Sequence, residues 1–443
     1  MWASRRNTSV ADFYLAGRGL GAWIAAISAS ASSSSAWTLL GVSGAAYAWG
    51  LPALWLFPAT VGGFLLNWLW VAPRLRRLAS AEDAVTLSTV LAPATLGNAR
   101  YTILRVAGAI IVFSFVFYVA SQFEAAGKAF ESVFGLSKEA SILTGSAIVL
   151  AYTLLGGFWA VSVTDTIQGL LMFCAAVLLP AAALVAVGGP AGLAAGLHAA
   201  GTAGSPLAGL PAVAGVVFVL GILGIGIGYP GQPHVVNRFM ALRDETSLRH
   251  GRAIAIGWAV LVYAGMLLLG LSARVLYADL GDPEQVLFHA AAELLPAIVA
   301  GVMLAAVLSA IMSTADSQLL VAASAISHDW RLAGGVRDET LHRSRLTVVA
   351  VLVLATILAL VWRADIFSRV LFAWAALGAA FGPLLLLRLA GREITARGTL
   401  AAMLTGFGLT VAISWLPDAP GDAAERVLPF IAAFAVAAAS RRR

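Results

Sequence analysis

The chain has 443 residues, of which 60% are hydrophobic and 11% are charged. A soluble domain carries about 25% charged residues, so this composition excludes a soluble enzyme and a disordered chain. The net charge of +6 does not indicate nucleic acid, because the basic residues lie between apolar runs and form no basic patch interleaved with aromatic residues. The single cysteine, Cys174, excludes a disulfide framework and a thiolate metal site.

Apolar runs long enough to cross a bilayer follow one another along the whole sequence. They predict an all-α polytopic membrane protein with about twelve transmembrane helices, for which the lipid bilayer is the main partner. The predicted spans lie near residues 20–48, 50–71, 102–133, 138–155, 160–187, 210–232, 251–278, 288–327, 343–363, 366–390, 398–416 and 426–440. The segment 188–209, rich in Gly and Ala, is predicted to be an external loop.

The placement of Arg and Lys predicts the orientation, because loops that stay in the cytoplasm retain positive charge. If the N-terminus is inside, the segments on that side, which include Arg5 and Arg337, hold 21 of the 28 Lys and Arg residues. The sequence therefore predicts that both termini are cytoplasmic, with residues 1–19 as a cytoplasmic N-terminal segment.

The first span contains a run of small and hydroxyl residues from Ile27 to Trp37, six of them serine. Serine is a mediocre helix former that competes with the backbone for hydrogen bonds. An unwound segment here would free carbonyl oxygens, which is tolerable at membrane depth only where they face protein or a water-filled cavity. Two interpretations stay open: close helix packing through small residues, and a broken helix whose carbonyls and hydroxyls bind a hard cation.

The eighth span places Ala310, Ser313, Thr314 and Ser317 on one helical face by their spacing of three and four residues. Sodium needs several oxygen ligands, which these hydroxyls and the carbonyls of a facing broken helix would supply. Asp316 adds a charge that is costly in lipid and is a functional candidate. The alternative is a carboxylate near the helix end that snorkels or pairs with an arginine.

The sixth span runs through Gly224 to His234, where four glycines and two prolines fall within eleven residues. Such a segment cannot hold a regular helix, which predicts a second break. Its exposed backbone, with Tyr229 and Gln232 as polar side chains, would orient a small polar solute. The alternative is a Pro/Gly loop at a helix end.

The two breaks lie at the start of two successive groups of five spans, residues 20–187 and 210–390. This placement predicts a five-plus-five inverted repeat with the solute site at the midplane between the broken helices. Residues 391–443 then form two additional helices and a basic tail.

Two further acidic residues lie inside predicted spans. Asp165 starts the fifth span just after the turn at Gly156 and Gly157. It would complete a second cation site or a cation exit path, or else complement the helix dipole as an N-terminal charge. Glu124 is predicted to pair with Lys128 one turn later. The chain shows no nucleophile with an adjacent base, phosphate loop or heme motif, so the sequence predicts neither an enzyme nor an organic cofactor.

Six short motifs are spread over nearly the whole chain: DFYLAGRGLG at Asp12 to Gly21, WTLLGVSGAAYAWG at Trp37 to Gly50, GGFWAVSVTDTIQ at Gly156 to Gln168, GYPGQPHVVNRFMA at Gly228 to Ala241, MSTADSQLL at Met312 to Leu320, and FAWAALGAAFGP at Phe372 to Pro383. Together they resemble the sodium:solute symporter family, most closely its bacterial sodium/proline symporter branch. The resemblance implies a LeuT-like core in a bacterial-type inner (plasma) membrane, where a sodium gradient drives uptake of a small amino-acid-like solute by alternating access.

The resemblance also implies site residues, with Na+ as the coupling ion. The principal sodium site would use the carbonyls of Ala31, Ser34 and Ala310 and the hydroxyls of Ser313 and Thr314. The second cation site of some relatives would map to Asp165, Ser313, Asp316 and Ser317. Solute contacts would come from Ser35, Trp37, Tyr118, Tyr229, Gln232 and Pro233.

The chain departs from the proline carriers at two positions. Those carriers tend to have an Asp where this chain has Ser33, so a negative charge has left the neighbourhood of the ion. They tend to have a Trp where this chain has Ile225, so an aromatic wall of the solute pocket is expected to be missing. Family members also usually begin with an additional helix before the DFY segment, which would make the natural N-terminus external.

The sequence leaves several alternatives open. A membrane sensor of this fold would need a separate signalling partner, and a channel would show flux beyond carrier turnover. Protons would replace sodium if Asp165 or Asp316 titrates near neutral pH. The identity of the solute and the oligomeric state are not readable from the residues.

Overall fold

Helices form nearly all of the structure, a computed structural model that describes residues 15–153, 158–199, 206–207, 209–330, 341–362, 365–417 and 420–440. In the first half of the chain the α-helices are α1 (Ala22–Ser33), α2 (Val42–Trp49), α3 (Leu56–Leu65), α4 (Ala72–Ala81), α5 (Leu87–Leu91), α6 (Ala99–Phe134), α7 (Lys138–Thr153), α8 (Phe158–Ala186) and α9 (Gly189–Ala199). In the second half they are α10 (Ala212–Ile227), α11 (Pro233–Met240), α12 (Glu245–Leu276), α13 (Val286–Leu294), α14 (Ala297–Ser324), α15 (Leu341–Val361), α16 (Ile366–Leu389), α17 (Ala396–Ile413) and α18 (Ala423–Ala439).

The helix lengths agree with a membrane-spanning chain. Among the described residues, eight helical stretches are long and apolar enough to cross a bilayer: Leu51–Ala81, Ala99–Ser132, Val161–Ala186, Ala212–Gly231, Glu245–Leu276, Ala297–Ser327, Ile366–Leu389 and Ala396–Ile413. The four other predicted spans contain the shorter helices α1 with α2, α7, α15 and α18. The predicted all-α polytopic architecture is confirmed.

Two boundaries differ from those that the sequence predicts. The predicted eighth span, 288–327, is divided into α13 and α14, because Pro296 forces the extended backbone of Leu295 (φ −120°, ψ 148°) that ends α13. The predicted external loop, 188–209, contains a helix, α9, which follows a turn at Gly188 and Gly189 with positive φ values of 88° and 74°. The turn at Gly156 and Gly157, and basic residues such as Arg5 and Arg337, lie outside the described residues.

Ion pairs join the loops that the charge pattern assigns to a single face of the membrane. They are Arg18 with Asp83 at 3.0 Å, Arg76 with Glu245 at 3.1 Å, and Arg388 with Glu82 at 2.6 Å. The start of the first span, the end of the second, the start of the seventh and the end of the tenth therefore lie together. If each predicted span crosses the membrane once, odd-numbered spans start and even-numbered spans end on the same face, and these ion pairs agree with that order.

The ends of α1 and α11 on this same face are tied through their backbones. The Leu20 N–H donates to the Ala241 carbonyl at 3.0 Å, and the Arg243 N–H donates to the Leu20 carbonyl at 3.0 Å. The two predicted broken spans are thus held side by side by a short parallel bridge.

The prediction that Glu124 pairs with Lys128 is wrong. Glu124 pairs with Lys138 at the start of α7, and the Lys128 ammonium lies 2.7 Å from Asp282 and 2.6 Å from Glu284. Helical spacing makes Lys128 a neighbour of Glu124, but the segment before α13 brings two carboxylates within its reach. Two separate ion-pair networks result.

Glu284 connects three elements at this end of the molecule. Besides Lys128 on α6, its carboxylate accepts hydrogen bonds from the N–H groups of Ile366 at 3.2 Å and Phe367 at 2.9 Å, at the start of α16. Burial raises the pKa of Glu284, and the ammonium of Lys128 acts in the opposite direction. A carboxylate at a helix N-terminus also complements the helix dipole.

Replacing Glu284 with Gln should destabilise the protein, because the charge that holds Lys128 and the start of α16 is removed. We expect the free energy of unfolding to fall by about 1–3 kcal/mol. Thermal unfolding in detergent measures the change, with Glu293→Gln on α13 as the control, since the Glu293 side chain is 58% exposed. Equal unfolding midpoints for the two variants would contradict this role.

Candidate sodium and solute site

The first break lies between α1 and the π-helical turn at Trp37–Gly41. Ser34 leaves helical geometry (φ −116°, ψ 44°), and its N–H donates to the Ala31 carbonyl at 3.2 Å. The freed Ala36 N–H donates to the side-chain oxygen of Gln122 on α6 at 3.2 Å. The interpretation of this run as a broken helix is therefore correct, and α6 satisfies part of its backbone.

The second break separates α10 from α11. Gln232 takes an extended conformation (φ −92°, ψ 101°), and α11 restarts at Pro233, which suits the first helical turn because it lacks an N–H. The Gln232 amide donates to the carbonyls of Gly228 at 3.1 Å and Trp374 at 2.9 Å. Asn67 donates to the Tyr229 carbonyl at 3.2 Å. Side-chain amides thus bind carbonyls at the second break and tie the break to α16.

Glycine is needed where the second break meets α16. A Cβ added to Gly231 would lie 2.7 Å from the Cα of Gly378. The two backbones therefore touch, and a larger residue at either position would push the break away from α16.

The predicted hydroxyl face of α14 meets the broken end of α1. The Thr314 hydroxyl donates to the Ser32 carbonyl at 3.3 Å, and the Ser32 hydroxyl donates to the Ser313 carbonyl at 3.3 Å. The Ser313 hydroxyl donates to the Ala310 carbonyl at 3.2 Å. All five residues of the predicted principal sodium site are fully buried: Ala31, Ser34, Ala310, Ser313 and Thr314. Their neutral oxygens suit a hard monovalent cation.

The predicted solute residues gather at the two breaks. The following are all buried: Ser35, Trp37, Tyr118, Tyr229, Gln232 and Pro233. The Tyr118 hydroxyl donates to the Ser35 hydroxyl at 3.4 Å, which joins α6 to the first break. Phe64 of α3 packs against the second break, with its ring centroid 5.4 Å from that of Tyr229.

Tyr263 on α12 connects the two breaks, and sequence reasoning missed it. Its hydroxyl lies 3.4 Å from that of Ser34, accepts from Thr38 at 3.2 Å and lies 3.2 Å from that of Tyr229. The sequence signal for Tyr263 is a tyrosine in an otherwise apolar span, because a buried phenol hydroxyl needs a hydrogen-bond partner.

Trp374 on α16 places an aromatic ring beside Ile225 and Tyr229 of the second break. Its indole N–H donates to the carbonyl of Ile225, the position where proline carriers tend to have Trp, at 3.1 Å. Its ring lies 4.7 Å from that of Tyr229 in an edge-to-face arrangement. The aromatic surface is thus provided from another helix.

Two residues of the predicted second cation site, Asp165 and Ser317, contact the guanidinium of Arg238. Arg238 Nη2 lies 2.9 Å from Asp165 Oδ2 and 2.5 Å from Ser317 Oγ, and Nε donates to Ser28 Oγ at 3.0 Å. The remaining Nη1 donates to the carbonyl of His234. No local sequence pattern predicts the partners of Arg238, because nothing distinguishes it from the other basic residues near span ends.

The structure excludes one alternative for each of the two acidic residues. Asp165 lies two turns inside α8, which begins at Phe158, so it is not an N-terminal charge on the helix dipole. Asp316 is fully buried and does not snorkel. Its Oδ1 lies 3.4 Å from Ser317 Oγ, and its Oδ2 has no hydrogen-bond partner among the described residues.

Comparisons with known proteins agree with this geometry. A sequence profile of the sodium:solute symporter family matches residues 13–406. The osmoregulated proline transporter OpuE of Bacillus subtilis is 37% identical over 91% of this chain and 83% of its own length. The high-affinity proline transporter PutP of the same organism is 34% identical over 98% and 92%, and the sodium/proline symporter of Haemophilus influenzae is 35% identical over 94% and 85%.

Solved structures show the same fold at low sequence identity. A Na+-coupled sialic acid symporter in a substrate-bound, outward-open state matches 100% of this chain and 95% of its own, with a TM-score of 0.81 and 17% identity. Mhp1, a nucleobase-cation-symport-1 family transporter in a closed conformation, matches 96% and 92% with a TM-score of 0.60 and 14% identity. The LeuT-like fold is confirmed, and the chain belongs to the sodium:solute symporter family.

Proposed function

We propose that this protein imports proline or a closely related amino acid together with sodium, by alternating access. The observation that carries this proposal is the direct hydrogen bonding between the hydroxyl face of α14 and the broken end of α1, at Thr314 and Ser32. The relatives named as proline transporters indicate the class of solute.

In the proposed site, sodium is bound by the carbonyls of Ala31, Ser34 and Ala310 and the hydroxyls of Ser313 and Thr314. The Ser313 hydroxyl donates to the Ala310 carbonyl at 3.2 Å, and the Thr314 hydroxyl donates to the Ser32 carbonyl at 3.3 Å. A cation bound by the lone pairs of the two hydroxyls and of the three carbonyls would hold α1 against α14. The bound ion would thereby fix the position of the first break, which contains the proposed solute residues Ser35 and Trp37.

The proposed solute site offers aromatic and backbone contacts. The edge-to-face pair of Trp374 and Tyr229 presents apolar surface to a pyrrolidine ring. The breaks present backbone groups and the hydroxyls of Ser35 and Tyr118 to a carboxylate and an ammonium group. Because sodium and solute share the first break, each should raise the affinity for the other by the same factor.

Orientation and alternatives follow from the same observations. The ion-paired loops are proposed to face the cytoplasm, with both termini of the chain on that side. The relatives of this chain are named as transporters, which favours a transporter over a membrane sensor.

Uptake of labelled proline into proteoliposomes tests the function. We expect accumulation under an inward sodium gradient and loss of accumulation when sodium is replaced by choline or when a sodium ionophore collapses the gradient. Equal uptake with sodium and with choline would contradict sodium coupling, and uptake driven by a proton gradient alone would favour the proton alternative.

Changing Thr314 to Ala removes one proposed hydroxyl ligand. We expect the sodium concentration for half-maximal uptake to rise about tenfold, which corresponds to ~1.4 kcal/mol of binding free energy. Thr144→Ala is the matched control, because Thr144 is exposed on α7 and its hydroxyl donates to Ala140 at 2.7 Å within the same helix. An unchanged sodium dependence in the Thr314 variant would remove this residue from the site.

Changing Trp374 to Leu removes the proposed aromatic wall. We expect the proline concentration for half-maximal uptake to rise about tenfold or more, as one aromatic contact and one hydrogen bond are lost. Trp415→Leu serves as the control, since the Trp415 side chain is 86% exposed. Unchanged proline affinity in the Trp374 variant, with normal thermal stability, would place the solute elsewhere.

A further inference from the structure

We propose that the Arg238 guanidinium is a built-in cation that fills the second cation site, so that the protein binds a single sodium ion. The inference rests on the sodium-coupled function proposed above and concerns the number of ions. It assigns Arg238 as a positioning residue, which acts on the sodium site through Ser32.

The oxygens around Arg238 come from three helices and form a closed cluster. Asp165 Oδ2 accepts from the Ser28 hydroxyl at 2.8 Å, the Ser32 hydroxyl at 3.1 Å and the Arg238 guanidinium at 2.9 Å. Ser317 adds a hydroxyl 2.5 Å from the guanidinium. These carboxylate and hydroxyl oxygens are of the kind that binds a hard cation, and a guanidinium already uses them.

A metal ion bound at this position would compete with the arginine for the same carboxylate. Arg238 is 1% exposed and Asp165 is fully buried. The Phe158 ring, 5.3 Å from the guanidinium carbon, covers the group from α8. A sodium ion bound to Asp165 and Ser317 would lie within a few ångströms of the guanidinium, and two cations at that separation repel strongly away from bulk water.

The guanidinium takes up ligands of the second cation site. Asp165 and Ser317 belong to the residues predicted for that site, and both lie within hydrogen-bond distance of Arg238 Nη2. A buried carboxylate needs a cationic or hydrogen-bonding partner, and Arg238 is that partner for Asp165. The neighbouring site beside Thr314 is then left for sodium, which gives one ion per molecule.

Ser32 joins the two sites. Its carbonyl accepts from the Thr314 hydroxyl at 3.3 Å, and its own hydroxyl lies 3.0 Å from Ser317 Oγ and 3.1 Å from Asp165 Oδ2. Any displacement of the arginine cluster therefore moves a residue that contacts the proposed sodium ligands. This contact explains how a fixed positive charge would position the site for the mobile ion.

Counting bound ²²Na⁺ on the purified protein in detergent, without solute, tests the inference. We expect about one ion per molecule for the unaltered protein. Arg238→Gln removes the built-in cation and should bind about two ions, because Asp165 then lacks its cationic partner and is free to bind sodium. The double variant Arg238→Gln with Asp165→Asn also removes that carboxylate and should return to about one ion. Arg77→Gln is the matched control, since the Arg77 side chain is 69% exposed.

Two results would overturn the inference. One is an unaltered protein that binds two ions and loses one of them in Asp165→Asn. The other is a folded Arg238→Gln variant that binds a single ion with unchanged affinity. If Arg238→Gln does not fold, Arg238→Lys replaces it in the assay: it keeps the positive charge and should bind about one ion, and two bound ions would refute the proposal. Because no solute is present, failure to transport proline would refute the proposed function without affecting this count.

Discussion

Backbone groups freed inside a membrane protein must find partners, and this constraint organises the whole structure. Two helices stop halfway, at Ser33 and Ile227, and leave N–H and carbonyl groups without helical partners. Gln122 and Asn67 bind some of these groups from neighbouring helices. The carbonyls near the end of α1 face the hydroxyls of α14 instead. Carbonyl groups without helical partners are costly in a membrane, and the same groups can bind a cation.

Polar contacts extend from this junction through the interior. Ser32 contacts both Thr314, on the hydroxyl face of α14, and Asp165, which pairs with Arg238. The backbone bridge at Leu20 ties α1 to α11. On the other side, the Tyr263 hydroxyl reaches both breaks. The proposed ion ligands, Arg238 and the proposed solute residues therefore belong to one connected network of contacts.

Much of this arrangement could be predicted from the sequence, because its signals are local. A serine run and a Gly/Pro-rich segment mark the breaks, and the spacing of Ser313 and Ser317 defines a polar helix face. The remaining contacts join residues far apart in the chain, such as Arg238 with Asp165 and Trp374 with Ile225, and no local pattern announces them. The pairing expected for Glu124 failed for the same reason, since a lysine on another helix is its partner.

A high-resolution map of the purified protein in sodium, compared with one in choline, would locate the ion. We expect one sodium-dependent density between the broken end of α1 and α14, in contact with Ser313 and Thr314. The Arg238 guanidinium should stay on Asp165 in both maps. A sodium-dependent density on Asp165, or none at the α1–α14 junction, would refute the proposed arrangement.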